Sequence, residues 1–152
     1  MRTGIVGAVL AMALATITVT PVLADRTGGE PGDLGLDAIV VTGGSVAAKS
    51  GTVSVHGRIT CSQDITPFVW VDARQTVGRF HVLSGGGDAI VSCDAATGQA
   101  SFDVRFQPDG GKFAPGKVQV NAYAEVDQCD DEDSCTGDFA EFGPATLRFG
   151  RH

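Results

Sequence analysis

A period of two constrains this chain more than any other feature. In Thr52-Val53-Ser54-Val55-His56-Gly57-Arg58-Ile59-Thr60-Cys61, the residues Val53, Val55, Ile59 and Cys61 share one face, and Thr52, Ser54, His56, Arg58 and Thr60 share the other. Successive side chains of a strand point to opposite sides, so this alternation describes a strand with one face on a core and one in water. Ser101-Phe102-Asp103-Val104-Arg105-Phe106 repeats the pattern with Phe102, Val104 and Phe106 inward. From Lys117 to Asp127 the inward set is Val118, Val120, Ala122, Ala124 and Val126, while Gln119, Asn121, Tyr123 and Glu125 face out.

Less regular apolar runs predict further strands over residues 36–42, 68–75, 79–83, 89–93 and 144–149. Turn signals separate them at Gly43-Gly44, Lys49-Ser50-Gly51, Ser84-Gly85-Gly86-Gly87-Asp88, Ala96-Thr97-Gly98 and Pro108-Asp109-Gly110-Gly111. No helical period follows the first 24 residues. The expected fold is all-β: an immunoglobulin-like antiparallel sandwich of seven or eight strands over residues 36–152, with a small closed barrel as the alternative.

The first 24 residues read as a signal peptide. Arg2 precedes an apolar stretch from Ile5 to Ala15, and Val22-Leu23-Ala24 precedes the polar Asp25-Arg26, so cleavage is expected after Ala24. Residues 25–35, rich in glycine, proline and charge, are expected to form a flexible arm. Loss of Arg2 leaves 10 basic against 18 acidic side chains. Such a surface repels nucleic acid and anionic membranes. The exported chain is therefore expected to be a secreted, acidic, monomeric protein with no membrane attachment.

Four cysteines remain after the leader, at positions 61, 93, 129 and 135, and an even count in an exported chain reads as a disulfide framework. Of the three possible pairings, Cys61–Cys93 would tie two strands together and Cys129–Cys135 would close a short acidic loop. A structural zinc site is the rival, but no C-x-x-C pair occurs and His56, His81 and His152 have no ligand spacing. Trp70, nine residues after Cys61, is expected to pack across the core near that bridge. It is also, with Tyr123, a candidate ligand contact, since an outward Tyr123 beside Asn121 and Gln119 has the mixed character of carbohydrate or protein contact surfaces.

Catalytic chemistry is hard to place. The serines sit in turns or on exposed strand faces, no G-x-S-x-G elbow occurs, and His56 points outward. Acidic residues concentrate around the Cys129–Cys135 pair, where Asp127, Asp130, Asp131, Asp133 and Asp138 are candidate calcium ligands and Glu125 and Glu132 add charge. Their spacing matches no EF-hand. The glycine run at 85–87 precedes a strand rather than a helix, so it reads as a hairpin turn and not a phosphate cradle. No cofactor is expected.

The run Gly51 to Cys61, with Phe68-Val69-Trp70-Val71, Cys93 and Phe113-Ala114-Pro115-Gly116-Lys117-Val118-Gln119-Val120, resembles an actinobacterial group of secreted immunoglobulin-like sandwich domains of unknown function. That resemblance covers residues 38–126 and implies export and fold, with no catalytic residues. The short Cys129–Cys135 spacing and a Gly143-Pro144 turn before a strand ending at Phe149 are similar to the neocarzinostatin-type chromoprotein apoproteins. These carry an enediyne in a cleft, but the long span of the first cysteine pair departs from their pattern. The expected function is a secreted, non-enzymatic binding module for a protein, glycan or small molecule. A small-molecule, chromophore-type carrier is the alternative, and a cell-wall-directed hydrolase a further one.

Overall fold

The computed structural model describes residues 34–79, 81–131 and 134–152. The expected signal peptide, and the expected arm as far as residue 33, lie outside them. Seven strands follow in order: β1 Leu36–Val46, β2 Val53–Cys61, β3 Phe68–Val77, β4 His81–Ile90, β5 Gln99–Phe106, β6 Gly116–Asp131 and β7 Ser134–Arg151. The fold is all-β.

The strands form one sheet in the order β4-β3-β6-β7-β1-β2-β5, antiparallel except where β1 meets β7. There the pairing is parallel and limited to Ser45↔Gly150 and Val46↔Arg151, with His152 N donating to Val46 O at 3.0 Å. The sheet curls, so that β4 at one edge approaches β5 at the other. Inward residues of both halves meet in a single core, among them Leu36, Ile39, Val55, Ile59, Val71, Val104, Val120 and Phe149. The alternation in β2, β5 and β6 is observed as expected, with Val53, Val55, Ile59, Phe102, Val104, Val118 and Val120 buried.

Three turn assignments are overturned. Ser84-Gly85-Gly86-Gly87-Asp88 is the middle of β4, paired residue by residue with β3 from Trp70↔Asp88 to Arg74↔Ser84. The expected strands at 79–83 and 89–93 are thus largely one strand. Its glycines are explained by what lies against them. A Cβ on Gly85 would stand 2.7 Å from Gln107 O, one on Gly86 2.8 Å from Asp72 Oδ1, and one on Gly87 3.0 Å from Val104 Cγ1. The edge strand can close onto β5 because its middle carries no side chains. Asp109 N, donating to Ser84 O at 2.9 Å, covers part of that edge.

Gly43-Gly44 lies within β1, at a register shift against β2. Gly143-Pro144, a cis peptide, is likewise inside a strand: the ladder between β6 and β7 steps from Val120↔Ala145 to Ala122↔Phe142, setting two residues opposite Asn121. This bulge changes which residues face the core, from Asp138, Ala140 and Phe142 before it to Phe149 after it.

Both expected disulfides are present, Cys61–Cys93 and Cys129–Cys135. The second closes the acidic segment from residue 130 to 134. Cys129 and Cys135 are ladder partners in a hairpin whose strands run on to Asp131 and from Ser134. At the start of β1, Gly35 O accepts from Ser62 N at 2.9 Å, so the end of the expected arm is bonded to the domain.

Candidate functional site

Trp70 is not in the core. Val69, Val71 and Ala73 take the inward positions of β3, and Trp70 is left 40% exposed on the outer face. Ladder registers place its neighbours in rows across four strands. One row reads Asp88, Trp70, Tyr123, Glu141 from β4 to β7. The row on one side reads Ile90, Phe68, Glu125, Phe139, and the row on the other reads Gly86, Asp72, Asn121, with the Gly143-Pro144 bulge completing it. The two sequence-predicted ligand contacts, Trp70 and Tyr123, are therefore direct cross-strand partners.

The bulge breaks the flatness of this face. A groove of about 260 Å³ opens beside it, lined by Trp70, Asp72, Asn121, Tyr123 and Glu141, with Phe142 to Pro144 along one side. Gly86 lies against the indole: a Cβ there would stand 3.2 Å from Trp70 Cζ2, so the ring rests beside a strand position with no side chain. Tyr123 stacks on Phe139 with centroids 6.1 Å apart, which extends the aromatic surface from the groove along β7. Sequence reasoning missed Phe139, 44% exposed, and Ile90, 73% exposed.

The electrostatics of the groove are one-sided. Its lining carries the carboxylates of Asp72 and Glu141 and no basic side chain. Partial burial, then the hydrogen-bonded Glu125 and the nearby Asp127 and Glu141 carboxylates, push the Tyr123 phenol above its ordinary value of 10.0. The nearest basic residue in register is Arg74, one row beyond Asp72 and opposite Gln119.

Of the five calcium candidates, the side chains of Asp127 and Asp138 are described. Asp138 is buried and accepts from Leu36 N at 3.0 Å, fastening β1 to β7. Asp127 is exposed on β6, outward where Asp138 is inward. Asp133 and the side chains of Asp130 and Asp131 lie outside what is described. Among the described residues, no three His, Cys, Asp or Glu side chains come together as a metal site would require.

His56 acquires a partner that the sequence did not reveal. His56 Nδ1 lies 2.8 Å from Asp103 Oδ2, and Arg105 Nε donates to Asp103 Oδ1 at 3.0 Å. Burial raises the Asp103 carboxyl, but the hydrogen bonds and charges of His56 and Arg105 outweigh it and hold the carboxyl below its ordinary value of 3.8. All three side chains are well exposed on the outer face of β2 and β5. A general base needs a substrate held against it in a concavity. The described groove is instead on the other half of the sheet, at β3, β6 and β7.

Two disulfides fit an extracellular protein, and among the described residues no helix is long and apolar enough to cross a membrane. Compared with known protein families, curated proteins and solved structures, the chain matches none.

Proposed function

We propose that this chain is a secreted, non-enzymatic binding module of immunoglobulin-like sandwich design, and that its ligand site is the groove beside Trp70 and Tyr123. The observation that carries the reading is the position of Trp70. A tryptophan left 40% exposed, on a strand with buried neighbours on either side, keeps a large apolar surface in water. Aromatic side chains in such positions, ringed by groups able to form hydrogen bonds, supply contact area at low entropic cost when a ligand covers them. Asn121, Asp72 and Glu141 supply those polar groups.

The sheet order supports the sandwich reading, since β1-β2-β5 and β4-β3-β6-β7 form two antiparallel groups joined at the brief β1–β7 contact. The leader and the two bridges support export.

The test is capture on the immobilised mature chain from the envelope and medium of the producing culture, run beside Trp70→Ala. The outward position makes that substitution compatible with the fold. The expected result is material retained by the parent chain and lost from the variant. Recovery of nothing above controls, or equal recovery by both, overturns the proposal.

A further inference from the structure

The outer face can be read as a grid, and its composition separates ligand classes. Three adjacent rows hold Phe68, Trp70, Tyr123, Phe139 and Ile90 together with Asp72, Asp88, Glu125 and Glu141, and no basic residue stands in them. A phosphate, sulfate or uronic acid would meet the Asp72 and Glu141 carboxylates and no basic side chain in the groove lining. A positive group would meet the opposite. An aromatic face attracts a cation through its quadrupole, and nearby carboxylates add Coulomb attraction.

We infer that the groove binds an alkylammonium group, seated on the Trp70 indole between the Asp72 and Glu141 carboxylates. The inference rests on the groove being the ligand site and adds the chemical class of the ligand. Geometry favours an ammonium on a slender alkyl stem: the space of about 260 Å³ is small, and Tyr123 and the Gly143-Pro144 wall give the stem apolar contact. The indole lies against Gly86, whose missing Cβ leaves room for it, so its outer surface is held open to the groove. The Tyr123 phenol is raised first by partial burial and then by the Glu125, Asp127 and Glu141 carboxylates, of which Glu141 lines the groove.

The chain has one tryptophan and one tyrosine, so intrinsic emission reports Trp70 and tyrosinate absorbance reports Tyr123. The full mature chain is titrated with tetramethylammonium chloride, with tetralysine, and with cellobiose as a neutral pyranose, against sodium chloride at matched ionic strength. The expected result is a saturable emission change with one or both cations and none with sodium chloride. Saturating tetramethylammonium, whose charge is permanent, should also move the tyrosinate transition of Tyr123 to lower pH. Tetramethylammonium as the tighter probe points to a free cation, and tetralysine to a lysine side chain on a peptide; either supports the inference.

The paired substitution Asp72→Asn with Glu141→Gln, isosteric and outward-facing, should weaken cation binding at least tenfold while leaving the melting temperature near that of the parent. Saturation by cellobiose with no cation response overturns the ammonium assignment and leaves the groove as a binding site. No response to either cation also overturns it. Cation binding that survives the paired substitution unchanged places the cation elsewhere and overturns it as well.

Discussion

Gln75 shows what a single buried polar residue does for this fold. It is 6% exposed, its Nε2 donates to Ala114 O at 2.7 Å and Lys117 O at 3.3 Å, and its Oε1 accepts from Ala114 N at 2.8 Å. These bonds fix the chain ahead of β6. Gln75→Leu removes them and leaves the Ala114 N–H without its side-chain acceptor, which should cost about 1–2 kcal/mol by urea denaturation. Asp103 is a contrasting case, an exposed acceptor worth little after solvent screening. Its folded pKa is depressed, so its contribution is present above the unfolded value near 3.8 and lost as pH falls through the folded value. Asp103→Asn should therefore destabilise slightly at pH 5–6, by about 0.5 kcal/mol or less, with the difference from the parent vanishing in acid melts near pH 2. At this scale the sequence was least legible. Phe68-Val69-Trp70-Val71 is apolar at every position, so no alternation tells which face Trp70 takes, and only pairing with β4 and β6 decides it.

Among the elements, legibility followed burial on one face only. β2, β5 and β6 alternate because one side meets the core and the other water, and they were readable almost residue by residue. β4 was not, because three consecutive glycines carry no periodicity and imitate a turn. The groove depends on two features of that kind, Gly86 against the indole and the bulge at Gly143-Pro144, both of which read locally as chain reversal. Gly87→Val would drive a branched side chain against Val104 and Phe106. It should cost about 1–3 kcal/mol in a thermal or urea melt. Gly110→Ala, where nothing lies within 4 Å of the added carbon, should change the same melts little. Equal melts for the two variants would mean that the close approach of β4 to β5 does not set the packing there.

For the whole molecule, the two bridges differ in the length of chain that they close. Cys61–Cys93 spans 32 residues and Cys129–Cys135 spans 6. Closure entropy assigns about 3.7 kcal/mol to the first and about 2 to the second. Replacing the first pair with alanine should lower the urea midpoint more than replacing the second, and a reversed order would contradict the entropic account. Both pairs were expected from their spacing, because an even count of four cysteines leaves only three pairings. What spacing could not convey was that Cys129 and Cys135 face each other across a ladder, with Asp127 on one strand of the hairpin and Asp138 on the other.

The contact between β1 and β7 has a mechanical consequence. Those two strands run parallel where they touch, so tension applied between the start of β1 and the end of β7 loads their hydrogen bonds lengthwise, all at once, instead of peeling them apart in turn. With one bridge anchoring the end of β2 and the other the tip of the β6–β7 hairpin, a pull on the two ends of the domain loads that short parallel contact in shear together with the Leu36–Asp138 bond.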